Sequence, residues 1–254
     1  MLSAHRHNSV SSAPWVIWLH GLLGSADDWL PVIEQTRAFP SLAVDLPGHG
    51  GSHSEPCQGF SHFDKQLSAL LQYHQINEYY LVGYSLGARL AMHFACHYQP
   101  NGLLGLVIEG GNVGLVNEQE RVARAANDKA WAQRFRSEPI EEVLDDWYQQ
   151  AVFADLSTTQ RQHLIQLRRQ NNPHSIAAML ENTSLAKQPF LADKLHQLTC
   201  PYRYFCGEKD KKFRSVSQQY ELPLTLIENA GHNAHWENPM GFAAALHHFL
   251  SHCG

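Results

Sequence analysis

Residues 81–92 read LVGYSLGARLAM, and their centre, Gly83-Tyr84-Ser85-Leu86-Gly87, matches the pattern G-x-S-x-G. The pattern alone is common; its setting gives it force. An apolar run at 79–82 precedes it and a stretch with helical spacing at 86–98 follows, so these five residues must turn a strand into a helix. So tight a turn strains its central residue and admits only small residues two before and two after, where Gly83 and Gly87 stand. The Ser85 hydroxyl then projects above the end of the strand, at the positive N-terminal end of a helix. That makes Ser85 the candidate reactive group.

Working outward, the same alternation recurs. Trp15–Leu19 (WVIWL) is a short continuous apolar run, as expected of a strand buried on both faces, and a helix is expected near 28–35. Residues 42–45 form another strand, stopped by the loop Leu46-Pro47-Gly48-His49-Gly50-Gly51. A helix over 60–74 and a strand over 103–108 complete the first half. Strands separated by helices imply an α/β fold with a mostly parallel central sheet flanked by helices. From about 117 to about 194 no strand is evident, only helical segments rich in Arg, Gln and Trp. Alternation returns with a strand at 202–206, a helix at 213–220, a strand at 222–227 and a helix at 240–250. The helical stretch starts at the C-terminal end of a strand, so it is expected to be an inserted cap over the edge where such sheets bind ligands. The division expected is a core of 1–112 and 195–254, with a helical cap of 113–194.

A serine hydroxyl is a poor nucleophile or base at neutral pH; it needs a histidine, and the histidine needs an acid to fix its tautomer. Where the serine sits at such an elbow, acid and histidine follow it in that order. The strand at 202–206 runs into Gly207-Glu208-Lys209-Asp210, and the strand at 222–227 into Ala230-Gly231-His232, both on the same sheet edge as Ser85. Asp210 is the expected acid, with Glu208 its competitor. His232 is the expected base, with His235 its competitor one helical turn on. Charge developing on a substrate oxygen needs donors already in place, each worth about 3–4 kcal/mol of transition-state stabilisation. The backbone N–H of Leu86, following the serine, and that of Leu22, in the loop His20-Gly21-Leu22-Leu23-Gly24, are the candidates for this oxyanion hole.

Composition narrows the field. The chain has 254 residues, 44% hydrophobic and 17% charged, an ordinary globular balance. A net charge of −5 and the absence of a basic run argue against nucleic acid as a partner. Five cysteines without a CxxC pair fit neither a disulfide framework nor a zinc cluster, and point to a reducing cytoplasm. The 17 histidines show no HExxH, so no metal is expected. No signal-peptide core is evident, and no apolar stretch reaches the roughly 18–20 residues of a membrane span. No membrane partner is expected.

Over almost its whole length the chain resembles the α/β-hydrolase superfamily. More narrowly it resembles the 2-succinyl-6-hydroxy-2,4-cyclohexadiene-1-carboxylate synthases of menaquinone biosynthesis. The resemblance rests on WLHG at 18–21, VDLPGHGGS at 44–52, LVGYSLGARLAM at 81–92 and VIEGGNVGL at 107–115. It extends to WAQRF at 131–135, DWYQQAVFA at 146–154, AAMLENTSLAKQP at 177–189, CGEKDKKF at 206–213 and AGHNAHWENP at 230–239. The cap segments are the particular ones; the rest are shared widely. What the resemblance implies is a lyase that eliminates pyruvate from 2-succinyl-5-enolpyruvyl-6-hydroxy-3-cyclohexene-1-carboxylate, with no metal and no organic cofactor. Ser85, made basic by His232, would abstract the ring proton beside the succinyl carbonyl. It further implies substrate binding by Tyr84, Arg89, Arg124, Trp147 and Arg168, and a cytoplasmic monomer acting on a small-molecule polycarboxylate. The residues suit such a ligand, because arginine's planar fork matches carboxylates. With only 14 residues before Trp15, the usual first strands of the fold are expected to be shortened or weak.

Two other functions compete. A carboxylic-ester or C–C bond hydrolase would use the same three residues covalently, but a lipase-like esterase would carry an apolar cap in place of an arginine-lined one. A ligand-binding protein with idle catalytic residues would leave Ser85 unreactive toward a fluorophosphonate. Dehalogenase chemistry needs an aspartate at the elbow, where this chain has Ser85.

Overall fold

The apolar runs pair into one sheet in a computed structural model that describes residues 1–10 and 12–252. Its strands are β1 (Ala4–His7), β2 (Trp15–Leu19), β3 (Ser41–Val44), β4 (Tyr79–Tyr84), β5 (Leu103–Glu109), β6 (Tyr202–Gly207) and β7 (Leu224–Ile227). They lie in the order β1-β3-β2-β4-β5-β6-β7; β1 is antiparallel to β3 and every other pair is parallel. The segment before Trp15 supplies one four-residue edge strand, β1. Strand β2 shows why the continuous apolar run was needed. Ile17 and Leu19 belong to the core on one sheet face, Val16 and Trp18 to the core on the other, and all four are fully buried. The chain places β3 on one side of β2 and β4 on the other, so the order reverses between β2 and β4. A crevice opens at the C-terminal ends of strands at such a reversal, and that is where ligands bind in these sheets.

The helices of the first half are α1 (Leu30–Ile33), α2 (Phe60–Tyr73) and α3 (Leu86–His93). The helix expected at 28–35 is a 3₁₀ turn at Ala26–Trp29 followed by the single α-turn of α1, which begins with Pro31 in its first turn. The helix expected at 86–98 is α only to His93 and ends in a wider π-turn, Phe94–Tyr98. Between β5 and β6 stand α4 (Glu118–Ser137), α5 (Ile140–Trp147), α6 (Thr158–Arg168), α7 (Pro173–Asn182) and α8 (Ala192–His196), with no strand. Asparagine or serine side chains cap α4, α6 and α7, at Asn117, Ser157 and Asn172, which satisfies first-turn N–H groups. This segment has a hydrophobic cluster of its own, including Phe135, Leu144, Leu164 and Ile176, and Leu23 of the post-β2 loop is buried in it. The last helices are α9 (Lys211–Gln219), α10 (Ala234–Glu237) and α11 (Pro239–His252). Residues 253 and 254, the end of the expected core segment, lie outside the described residues, as does Cys253. Cys57, Cys96, Cys200 and Cys206 are unbridged. Among the described residues no helix is long and apolar enough to cross a membrane, and no group of His, Cys, Asp or Glu could hold a metal.

Candidate active site

The elbow begins with steric necessity. Ser85 caps α3 with φ 50° and ψ −106°, a backbone conformation that costs a non-glycine residue of order 1–3 kcal/mol and persists only where its surroundings impose it. A Cβ on Gly83 would lie 2.6 Å from the carbonyl carbon of Gly87, and one on Gly87 would run into the carbonyl oxygens of Leu19 and His20. Both positions therefore require glycine. The Ser85 N–H donates to the Glu109 carbonyl at 2.8 Å, tying the elbow to the end of β5. Leu86 opens α3, and a first-turn N–H has no partner within its own helix.

Leu22 lies across the switch point in a turn held by several hydrogen bonds. His20 Nδ1 bonds the Gly21 carbonyl at 2.7 Å, Gly24 N–H bonds the same carbonyl at 3.0 Å, and Leu23 N–H donates to His49 Nε2 at 3.0 Å. His20 Nε2 in turn accepts from Leu46 N–H. These accepting nitrogens require both imidazoles to be neutral. Burial keeps them so, holding His20 below its usual range and pushing His49 down to about 3. Asp45 completes the framework, accepting from the N–H groups of Ala26 and Gly51.

Asp210 and His232 come together from the loops after β6 and β7. His232 Nδ1 and Asp210 Oδ2 are 2.8 Å apart with both side chains buried. An ionised carboxylate only accepts, so Nδ1 carries the proton and Nε2 is left as the basic nitrogen. The second Asp210 oxygen accepts the Phe213 N–H and caps α9. Glu208, the competing acid, is exposed and accepts the Asn229 N–H. His235, the competing base, is buried against Glu109, Nδ1 to Oε2 at 2.7 Å, and stacks on Trp29. The His232 ring is packed by Phe213 at 4.7 Å, Tyr84 at 5.3 Å and Phe153 at 6.0 Å between centroids. Its Cε1 leaves so little room at Gly110 that a Cβ there would lie 2.8 Å away. Gly110 directly follows Glu109, the residue that takes the Ser85 N–H, so base and elbow are close neighbours. Among the described residues no hydrogen bond closes on the Ser85 hydroxyl; in ligand-free sites such contacts are often long and tighten when substrate is bound.

Matches to known proteins coincide with this geometry. Residues 14–239 match the family model for the α/β-hydrolase fold. A Yersinia pseudotuberculosis protein, 2-succinyl-6-hydroxy-2,4-cyclohexadiene-1-carboxylate synthase, is 53% identical over 247 residues, 97% of this chain and 89% of that one. A Yersinia pestis synthase of the same name is also 53% identical over the same share of each chain. The chain belongs to the 2-succinyl-6-hydroxy-2,4-cyclohexadiene-1-carboxylate synthase family. In structure it is similar to MenH from S. aureus, with a TM-score of 0.92 at 24% identity, covering 100% of this chain and 99% of that one. It is also similar to an esterase from Thermogutta terrifontis, with a TM-score of 0.84 at 20% identity, covering 99% and 93%. At those identities the two structures show the fold alone.

The substrate-binding residues expected of a synthase in this family fall into two groups. Tyr84, Trp147, Arg168 and Leu22 line one cavity of about 20 Å³, together with Tyr148 and Phe153. Arg168 does not stand free there. It forms a two-point ion pair with Asp28, 2.8 Å at each contact, and the charge of Asp28 holds its guanidinium above its usual range against the cost of burial. Arg89 and Arg124 form the other group, close enough that each charge bears on the other. Arg124 bonds Asp128 at 2.7 Å and is about one-third exposed. Arg89 is 8% exposed, lies over the Phe60 ring and donates to neutral oxygens, Gln188 Oε1 at 2.6 Å and the Thr183 carbonyl at 2.5 Å, and among the described residues to no carboxylate. Burial, with Arg124 adding to it, pushes Arg89 down to about 9 against the opposing charge of Asp128. Sequence reasoning missed Phe153, Phe213, Tyr148 and Lys212. Lys212 places its ammonium 5.3 Å from the ring that stacks on His232, beside Arg124 and Asp210. CGEKDKKF contains both Phe213 and Lys212, but only the fold of α9 back over the base loop reveals their place.

Proposed function

We infer that the chain is a lyase of menaquinone biosynthesis. It eliminates pyruvate from 2-succinyl-5-enolpyruvyl-6-hydroxy-3-cyclohexene-1-carboxylate to give 2-succinyl-6-hydroxy-2,4-cyclohexadiene-1-carboxylate. The observation that carries this is the 53% identity to the Yersinia synthases over nearly the whole chain, cap segment included.

The residue roles are our proposal. Ser85 gives its hydroxyl proton to His232 Nε2 as it takes the ring proton beside the succinyl ketone, and Asp210 stabilises the imidazolium that forms. The electron pair of the broken C–H bond moves to the ketone oxygen, which accepts from the N–H groups of Leu22 and Leu86. That enolate collapses through the ring double bond and breaks the C–O bond to the enolpyruvyl group. Enolpyruvate leaves and is reprotonated at carbon to pyruvate. No covalent bond between Ser85 and substrate is required. Arg89 and Arg124 hold one carboxylate of the substrate, while Tyr84, Trp147 and Arg168 bound it on the other side. The unneutralised charge of Arg89 supports this, because a buried guanidinium gains about 1.5–3 kcal/mol from a charge-assisted bond to a carboxylate. Residues 113–194 act as a cap on a core of 1–112 and 195–254, and the protein works as a cytoplasmic monomer.

The test supplies the upstream enzyme's product, freshly made, and follows pyruvate. The wild-type protein releases it catalytically; failure to accelerate release would remove the assignment.

A further inference from the structure

Two carboxylates outside the triad grip the base loop. Glu237, at the end of α10, reaches back to it: Oε2 accepts the Gly231 N–H at 2.9 Å and Oε1 accepts the Asn233 N–H at 3.2 Å. Those amides flank His232 on either side. Glu109 holds the helix that carries Glu237, since its fully buried carboxylate accepts the His235 N–H at 3.0 Å and faces His235 Nδ1 at 2.7 Å. The backbone carbonyl of the same Glu109 accepts the N–H of Ser85. Serine and histidine, 147 positions apart in the sequence, are thus joined through one residue at the end of β5 and one clamp at the end of α10.

We propose that Glu109 and Glu237 are positioning residues that set the distance between Ser85 and His232; this rests on the triad roles given above. Neither touches substrate. Proton transfer from Ser85 to His232 is steeply sensitive to their separation, and a misplacement of about 1 Å can cost on the order of 100-fold in rate.

The chemistry of the two grips makes different demands. Both partners of Glu237 are backbone N–H donors, which cannot change role. A glutamine there accepts one of them and turns its own NH₂ against the other. Glu109 faces one backbone N–H and one imidazole nitrogen. A glutamine there accepts the first and donates to the second once His235 adopts its other tautomer. The proposal therefore expects glutamine to be tolerated at 109 and not at 237. Loss of negative charge or general loosening of the fold would not produce that order.

The experiment measures kcat and KM for pyruvate release, and the rate at which a fluorophosphonate labels Ser85, in Glu237→Gln, Glu237→Ala, Glu109→Gln and His232→Ala. Glu237→Ala is expected to lower kcat about 10- to 100-fold and Glu237→Gln somewhat less, each with KM within about threefold of wild type. Glu109→Gln stays within about threefold in kcat, and labelling rates fall in parallel with kcat. Wild-type kcat in both Glu237 variants, while His232→Ala is inactive, would overturn this inference and leave the triad standing. Wild-type kcat in His232→Ala would overturn the triad itself. Equal losses in Glu109→Gln and Glu237→Gln would also count against the proposal, since the tautomer argument would then fail. Glu237 is only half-buried, so its variants are expected to fold.

Discussion

Arg89 and His49 show how burial tunes single groups at this site. Among the described residues no carboxylate bonds Arg89, whereas Arg124 and Arg168 each already hold an aspartate. Arg89→Gln is therefore expected to lower kcat/KM about 10- to 100-fold, mainly through KM, and Arg124→Ala to act in the same direction but less; steady-state kinetics of pyruvate release measure both. His49 makes an acid-side prediction. Its pKa is pushed from 6.5 to about 3 by burial, with His20 adding to it, so the unfolded chain takes up a proton that the folded one refuses. That contribution to stability is fully present above about pH 6.5 and is lost as pH falls toward 3, at up to about 1.4 kcal/mol per pH unit. Thermal melts from pH 7 to 5 should show a falling Tm, with a shallower fall in His49→Asn; identical slopes would contradict the assignment. At this scale the elbow at Ser85 and the meeting of Asp210 with His232 follow from strand ends and small-residue turns that the sequence announces. The partner of Arg168 was not legible there, since Asp28 lies 140 residues away.

Elements meet at contacts that sequence patterns do not encode. The elbow of α3 packs its Gly87 against the carbonyl end of β2, with no room for a methyl group. Gly87→Ala is expected to destabilise the fold by about 1–3 kcal/mol or more, read as a lower urea midpoint, because backbone rather than a yielding side chain stands in the way. The largely buried Asp28–Arg168 pair joins the 3₁₀ turn at Ala26–Trp29 to the end of α6. Breaking one partner of such a pair leaves an uncompensated charge and costs about 3–5 kcal/mol. Asp28→Asn should speed amide hydrogen exchange in α6 relative to α2, and unchanged exchange there would show that α6 is held by other means. Periodicity predicted the alternation of strands and helices and the strandless segment between β5 and β6. It overestimated the helix at 28–35, where a 3₁₀ turn precedes a single α-turn, and gave no account of β1. Four residues at a sheet edge carry too little pattern to be read, and what defines β1 is its pairing with β3.

The molecule as a whole carries a net charge of −5, yet Arg89, Arg124 and Lys212 lie near one another. The cavity of about 20 Å³ beneath α5 and α6 is far smaller than the roughly 300 Å³ or more that a drug-sized ligand needs. The global design follows from the reversal of strand order between β2 and β4, which brings the Leu22 turn and the Ser85 elbow to one crevice while the later loops deliver Asp210 and His232. In the proposed reaction Ser85, relayed by His232, removes a proton from carbon and expels pyruvate. Its most direct test is the rate of pyruvate release from the freshly generated enolpyruvyl substrate by wild type, Ser85→Ala and His232→Ala at equal concentrations of folded protein. Rapid release is expected of wild type and a loss of at least about 1,000-fold in each variant; release by Ser85→Ala at the wild-type rate would contradict the proposed role of Ser85.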